Sequence, residues 1–224
     1  MKIIIVAGGT GGHVYPALSV ARVFKENSAE VIWVGRKKSL EEGIAREEGF
    51  NFITLSVSGF LGKKFIEKIK AIFELCVAYI KAIYLLISFK PDAIFSTGGY
   101  ISLPVGLAAP LLRIPLFIHE QNSVAGLSNR ILNKFSRITF EGFPETFKAD
   151  NRTEFVGNPL RDELFNESQV VSKISQEFNI LVLGGSQGSS QLNKIFIQAL
   201  QEAEDYELEH LDTASIYELL KKKY

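Results

Sequence analysis

The sequence predicts an α/β fold: a doubly wound parallel sheet, followed by the start of a second domain of the same kind. Two observations carry that expectation. Strand-like and helix-like apolar patterns alternate from the N-terminus to about residue 141, the order that a parallel sheet with helices on both faces requires. The glycine-rich turns also fall directly after strand-like segments, at the strand ends where open α/β sheets bind their ligands.

The first segment, Ile3-Ile4-Ile5-Val6-Ala7, is a continuous apolar run, as a strand buried on both faces demands. It leads into Gly8-Gly9-Thr10-Gly11-Gly12-His13, with a helix expected to open around Pro16, because proline suits the first helical position. A strand at 31–35 precedes a helix from about Leu40, where Ser39 and Glu42 are spaced as a capping box and Gly49 stands ready to end it. There follow a strand at 52–57, a long helical region at 61–89, a strand at 93–97 after Pro91, and a helix near 103–112. A strand at 115–119, a helix near 127–134 and a strand at 137–141 complete the first domain.

Gly142, Pro144 and the Gly157-Asn158-Pro159 turn then read as a linker. A helix near 168–177, a strand at 180–183 and Gly184-Gly185-Ser186-Gln187-Gly188 repeat the strand, glycine turn and helix logic of the first unit. The expected domains are therefore 1–157 and 158–224. Only 64 residues follow Leu160, against about 100–150 in a typical domain, so the second domain is expected to be incomplete.

Composition bounds the setting. A chain of 224 residues, 46% hydrophobic, can bury one good core. Its single cysteine excludes a disulfide framework and a cysteine-based metal cluster and suits a reducing compartment. Met1-Lys2 runs straight into a strand, so no signal peptide is expected. Charge is uneven: residues up to Phe140 carry 17 basic and 10 acidic side chains, and those from Glu141 onward carry 8 and 15. A basic first half suits a phosphate-rich ligand or an anionic membrane surface.

The region 61–89 sharpens that choice. Phe65, Ile66, Ile69, Ile72, Phe73, Val77, Ile80, Tyr84 and Ile87 recur at helical spacing between Lys63, Lys64, Lys68, Lys70 and Lys81. Its longest uncharged run, Ala82 to Phe89, is far below the ~20 residues of a membrane span. One reading is a helix packed on the sheet; another is an apolar and basic surface resting on an anionic bilayer. Different faces of one helix can serve both.

The turn from Gly8 to His13 is suited to an anion. Backbone N–H groups at a helix N-terminus lack helical partners and the macrodipole favours negative charge there. A tight turn with no ligand is the plainer explanation, but four glycines around Thr10 and next to His13 speak against it. The nicotinamide fingerprint fails, because Gly12-His13-Val14 lacks its third glycine and the second strand ends in Arg36-Lys37-Lys38 rather than an acid. The phosphate-loop NTPase pattern fails too, since no Gly-Lys-Ser/Thr follows.

Companion motifs lie at the other strand ends: Thr97-Gly98-Gly99-Tyr100, His119-Glu120-Gln121-Asn122, and Gly157-Asn158-Pro159-Leu160-Arg161 in the linker. With Gly8 to His13 and Gly184 to Gly188, these motifs occur in an order and rough spacing that resemble the bacterial MurG family, from Met1 to about Asn193. The resemblance implies a GT-B glycosyltransferase with two Rossmann-like domains, the second incomplete here. It further implies an inverting, cofactor-free and metal-independent transfer of N-acetylglucosamine from UDP-N-acetylglucosamine (UDP-GlcNAc) to lipid I, the undecaprenyl-diphosphate acceptor, giving lipid II for peptidoglycan synthesis.

Carried over by motif, Thr10, Gly11, Gly12, Asn122, Arg161 and Ser186 would contact donor or substrate, and Gly9, Gly98, Gly99 and Tyr100 would form the acceptor-diphosphate loops. His13 is the candidate base, with Glu120 and His119 as alternatives, since imidazole is the side chain best suited to proton transfer near neutral pH. The family implies peripheral attachment to the cytoplasmic face of the bacterial plasma membrane, with cell-wall or division proteins as partners and no nucleic acid. The alternative is a truncated, inactive homologue that binds a lipid-linked diphosphate or a partner protein without transferring sugar.

Overall fold

A computed structural model describes residues 1–59, 64–148, 151–160, 182 and 190–204. The chain divides into two compact units, residues 1–174 and 175–224.

The first unit contains a seven-stranded sheet whose hydrogen-bonded pairs are all parallel. Its strands are β1 (Lys2–Ala7), β2 (Glu30–Gly35), β3 (Asn51–Thr54), β4 (Ala93–Gly98), β5 (Leu116–Glu120), β6 (Ile138–Glu141) and β7 (Thr153–Phe155). The helices are α1 (Gly11–Glu26), α2 (Leu40–Glu47), α3 (Phe65–Phe89), α4 (Ser102–Leu111) and α5 (Leu127–Leu132). The spatial order is β3-β2-β1-β4-β5-β6-β7. The chain winds outward from β1 to β3, then returns to the other side of β1 with β4. The β1/β4 boundary is therefore the topological switch point, the position where open α/β sheets hold ligands beyond their strand ends.

Alternation of side chains along buried strands builds two cores. Ile4, Val6, Ile32, Val34, Ile94, Leu116 and Ile118 face a layer that includes α3, α4 and Leu132 of α5. Ile3, Ile5, Ala7, Val31, Trp33, Ala93 and Phe95 face α1 and α2 through Val14, Ala17, Leu18, Ala21 and Ala45.

Local rules place α2 well. The Ser39 hydroxyl accepts from the Glu42 amide at 3.4 Å, while the Glu42 carboxylate accepts from the Lys38 amide at 2.6 Å. Gly49, at φ +69°, closes the helix: its N–H donates to Arg46 and the Phe50 N–H to Ala45, the paired bonds of a Schellman end.

Three expectations need correction. The first helix opens at Gly11, not around Pro16, which sits in its second turn and leaves the Gly12 carbonyl without its helical donor. The segment 142–159 is not all linker, because Thr153–Phe155 pairs with β6 as a seventh strand; three residues are too few for periodicity to reveal. Finally, Ile66–Phe89 is by length and composition apolar enough to cross a membrane, despite its short uncharged run. What identifies a packed helix is its inner face, where Ala71, Ala78, Ala82, Leu85 and Leu86 are buried.

The opposite side of α3 is bare. Ile66, Ile69, Ile72, Phe73, Ile80, Tyr84 and Ile87 are all more than half exposed. At about 100° per residue they fall within one third of the helix circumference, in a stripe about 30 Å long. Lys68 borders it on one side, and Lys70 and Lys81 on the other.

In the second unit the structure describes one helix, α6 (Ser190–Glu204), on which Leu192, Ile195, Phe196 and Ala199 form a half-buried stripe. The predicted helix 168–177, the Gly184–Gly188 turn and nearly all of the strand 180–183 lie outside the described residues.

Candidate functional site

The turns after β1, β4 and β5 converge at the switch point. Thr10 caps α1 in extended conformation, but its side chain makes no capping bond and no acid occupies the first turn. The outermost N–H groups, on Gly11 and Gly12, precede the first helical donors and have no partner among the described residues, as an anion site requires. Next to this turn, Gly98 and Gly99 adopt φ +102° and +82°, conformations that favour glycine. A Cβ on Gly99 would lie 2.3 Å from the Gly8 carbonyl oxygen, so only glycine permits this approach. Tyr100 follows directly and lines, with His13, Glu120 and Gly126, a cavity of about 160 Å³.

His13 is half-buried at the start of α1. Its backbone carbonyl accepts from the Thr97 hydroxyl at 2.8 Å, tying α1 to the end of β4. Its ring Nδ1 lies 2.9 Å from Gln121 Oε1. Gln121 Nε2 in turn lies 2.9 Å from His119 Nδ1 and 2.9 Å from the His119 carbonyl oxygen. His119 Nε2 meets the Gly157 carbonyl at 2.9 Å, and Asn158 Nδ2 donates to the Gln121 carbonyl at 3.2 Å. The Gly157-Asn158 turn thus closes a hydrogen-bonded row that begins at His13. His119 is 1% exposed, and burial pulls its imidazole below the usual range, against the opposing influence of the Gly157 carbonyl and Glu120.

Glu120 behaves differently from a proton acceptor waiting for substrate. It is fully buried, and its two oxygens receive four donors. Oε1 accepts from the Asn122 amide at 3.1 Å and Asn122 Nδ2 at 2.8 Å; Oε2 accepts from the Gly126 amide at 2.9 Å and Asn129 Nδ2 at 2.9 Å. The carboxylate therefore shapes the β5–α5 turn. Asn122 is exposed at that turn, its side-chain nitrogen committed to Glu120.

Of the predicted site residues, Gly9, Thr10, Gly11, Gly12, His13, Gly98, Gly99, Tyr100, Glu120 and Asn122 all lie at this edge of the sheet. Arg161 and Ser186 lie outside the described residues. Sequence reasoning gave no role to Gln121, Thr97, Asn129 or Asn158. The available signal was a polar run, His119-Glu120-Gln121, at the end of a strand whose other residues are apolar. Among the described residues no group of three or more His, Cys, Asp or Glu side chains converges.

Residues 3–140 match the glycosyltransferase family 28 N-terminal domain. The chain belongs to glycosyltransferase family 28. Over its whole length it is 38% identical to a UDP-N-acetylglucosamine–N-acetylmuramyl-(pentapeptide) pyrophosphoryl-undecaprenol N-acetylglucosamine transferase of Coxiella burnetii, covering 64% of that protein. It is 41% identical over 90% of its length to the transferase of the same name from Pseudomonas putida, covering 56% of it. The crystal structure of Acinetobacter baumannii MurG superposes on 90% of the chain with TM-score 0.70 and 33% identity, and 57% of that structure is matched. This family 28 chain thus spans at most about two thirds of these relatives, and with them it shares the GT-B type of fold in its N-terminal, Rossmann-like domain.

Proposed function

We propose that the chain supplies the acceptor-binding half, residues 1–157, and the opening of the donor-binding half, residues 158–224, of an inverting transferase. That enzyme moves N-acetylglucosamine from UDP-GlcNAc to the muramoyl-pentapeptide sugar of lipid I. One observation carries the reading: an imidazole whose Nε2 has no hydrogen-bond partner among the described residues stands beside two touching glycine turns at the switch point, in a chain 38% identical over its whole length to a transferase of that name.

The residues divide the work as follows. Gly9, Gly98, Gly99 and Tyr100 receive the acceptor diphosphate, because backbone N–H groups in glycine turns form anion-binding concavities. Thr10, Gly11, Gly12 and Asn122, with Arg161 and Ser186, contact the donor. The acceptor hydroxyl oxygen attacks the anomeric carbon, the bond from that carbon to the diphosphate oxygen breaks, and UDP departs with the electron pair. His13 takes the hydroxyl proton on the nitrogen that Gln121 leaves free, Nε2. Glu120 keeps the neighbouring turn in shape.

A lipid-linked acceptor requires the protein to work at a bilayer. The exposed stripe of α3, flanked by Lys68, Lys70 and Lys81, has the apolar and basic character that rests on an anionic membrane surface. The protein would then act peripherally at the cytoplasmic face of the bacterial plasma membrane, in reach of cell-wall and division proteins. A chain that only bound a diphosphate would have no use for an open imidazole nitrogen, so the binding-only reading is less well supported.

The test is transfer of radiolabelled N-acetylglucosamine from UDP-GlcNAc to a short-chain lipid I analogue by the purified chain. Labelled disaccharide product is expected, falling about 10²- to 10⁴-fold in His13→Ala. Undiminished transfer by His13→Ala would overturn the base assignment, and absence of both product and acceptor binding in the parent would overturn the reading as a whole.

A further inference from the structure

We infer that Gln121 and His119 are positioning residues that hold the His13 proton on Nδ1 and so keep its Nε2 as a lone pair. The inference deepens the reading of His13 as the base and rests on it for its functional meaning, but its structural content stands separately.

The argument starts from two backbone carbonyls, which can only accept. The His119 carbonyl oxygen lies 2.9 Å from the Gln121 amide nitrogen. Turning that amide over would set two oxygens against each other, so the carbonyl fixes which end of Gln121 is nitrogen. Gln121 Oε1 must then be the end facing His13 Nδ1, at 2.9 Å. An amide oxygen has no proton to give, so His13 Nδ1 must carry one. In a neutral imidazole the other nitrogen, Nε2, is left bare.

The second carbonyl leads to the same result from the far end of the row. Gly157 O faces His119 Nε2 at 2.9 Å, so His119 is protonated there. Its Nδ1 is then an acceptor, met by Gln121 Nε2 at 2.9 Å. Gln121 thus spends one N–H on the His119 ring and one on the His119 backbone, with both proton positions spoken for. Burial favours the neutral form of His119 that this alternation needs. His13 lines the cavity while Gln121 and His119 do not, so neither of those two has to touch substrate.

The arrangement matters because a base is useful only in the right tautomer. With the proton on Nε2, the ring would present a donor where an acceptor is required, while Gln121 Oε1 would face a second lone pair.

The test is long-range proton–nitrogen correlation NMR on the uniformly nitrogen-15-labelled 224-residue chain, which has three histidines, above neutral pH. His13 should show a protonated Nδ1 and a bare Nε2, and His119 the reverse. Gln121→Met removes both amide functions and should transfer the His13 proton pattern to Nε2. Gln121→Glu still accepts from His13 and should restore Nδ1–H. A parent protein with His13 protonated on Nε2 overturns the inference, and this measurement does not depend on any variant folding. A Gln121→Met chain that keeps Nδ1–H on His13 overturns it as well. The base assignment fails on different evidence, namely full transfer activity in His13→Ala.

Discussion

Gly99 approaches Gly8 so closely that a Cβ on Gly99 would stand 2.3 Å from the Gly8 carbonyl oxygen. The turns after β1 and β4 therefore touch through backbone alone, and the doubly wound topology explains why these two turns meet. β1 and β4 are adjacent in the sheet although more than 80 residues separate them in sequence.

Gly99→Ala should separate the turns. The methyl group would clash with Gly8, and φ +82° is itself strained for alanine, so we expect a loss of about 1–3 kcal/mol in urea-unfolding stability together with weakened diphosphate binding. Gly43→Ala is the control. Gly43 lies within α2 with nothing in reach of an added Cβ, and this change should stabilise by about 0.5–1 kcal/mol.

Glu120→Gln should be costly to stability. Two of the four donors around the carboxylate would face an NH₂ group instead of an oxygen, with an expected loss of about 1–3 kcal/mol. A variant with parental stability and no activity would instead mark Glu120 as a proton carrier.

The depressed titration of His119 gives a pH dependence with a definite sign. Burial holds the folded-state value below the unfolded value of about 6.5. The unfolded chain therefore binds more protons in that window, and stability is fully present above pH 6.5 and lost as pH falls through it. The stability gap between the parent and His119→Gln should narrow from pH 8 to pH 5 in denaturant titrations. A gap that widens on acidification would contradict the burial argument.

The bare face of α3 can be tested apart from the core. Phe73 is 68% exposed, so Phe73→Ser should leave folding stability within about 0.5 kcal/mol. It should weaken co-sedimentation with anionic vesicles about tenfold, the equivalent of about 1.4 kcal/mol. Neutral vesicles or high salt should weaken the parent in the same assay, because Lys68, Lys70 and Lys81 would lose their counterpart.

Much of this is legible in the amino-acid sequence. The apolar runs of β1, β2, β4 and β5 are long enough to specify strands outright, and Ser39, Glu42 and Gly49 mark the ends of α2 through bonds within a few residues. What the sequence hid depends on contacts distant along the chain. The three residues of β7 form a strand only because β6 lies beside them. The start of α1 lies five residues before Pro16, because the helix accommodates that proline in its second turn at the loss of one helical hydrogen bond. Glu120 and Gln121 stand in one motif, in which the sequence offers Glu120 as an alternative base and gives Gln121 no role of its own. Only the distances to Asn129, Gly126, His13 and His119 separate a carboxylate that holds a turn from an amide that orders a ring.

The row from His13 ends at the Gly157 carbonyl, and an amide carbonyl has nowhere to send a proton. This row is a one-way stop rather than a wire. If His13 is the proposed base, a proton captured there could not be drained through this row and would have to leave from the same ring nitrogen that received it. The mouth of the cavity would then have to admit water once per turnover, which would link the resetting of the proposed base to the departure of product.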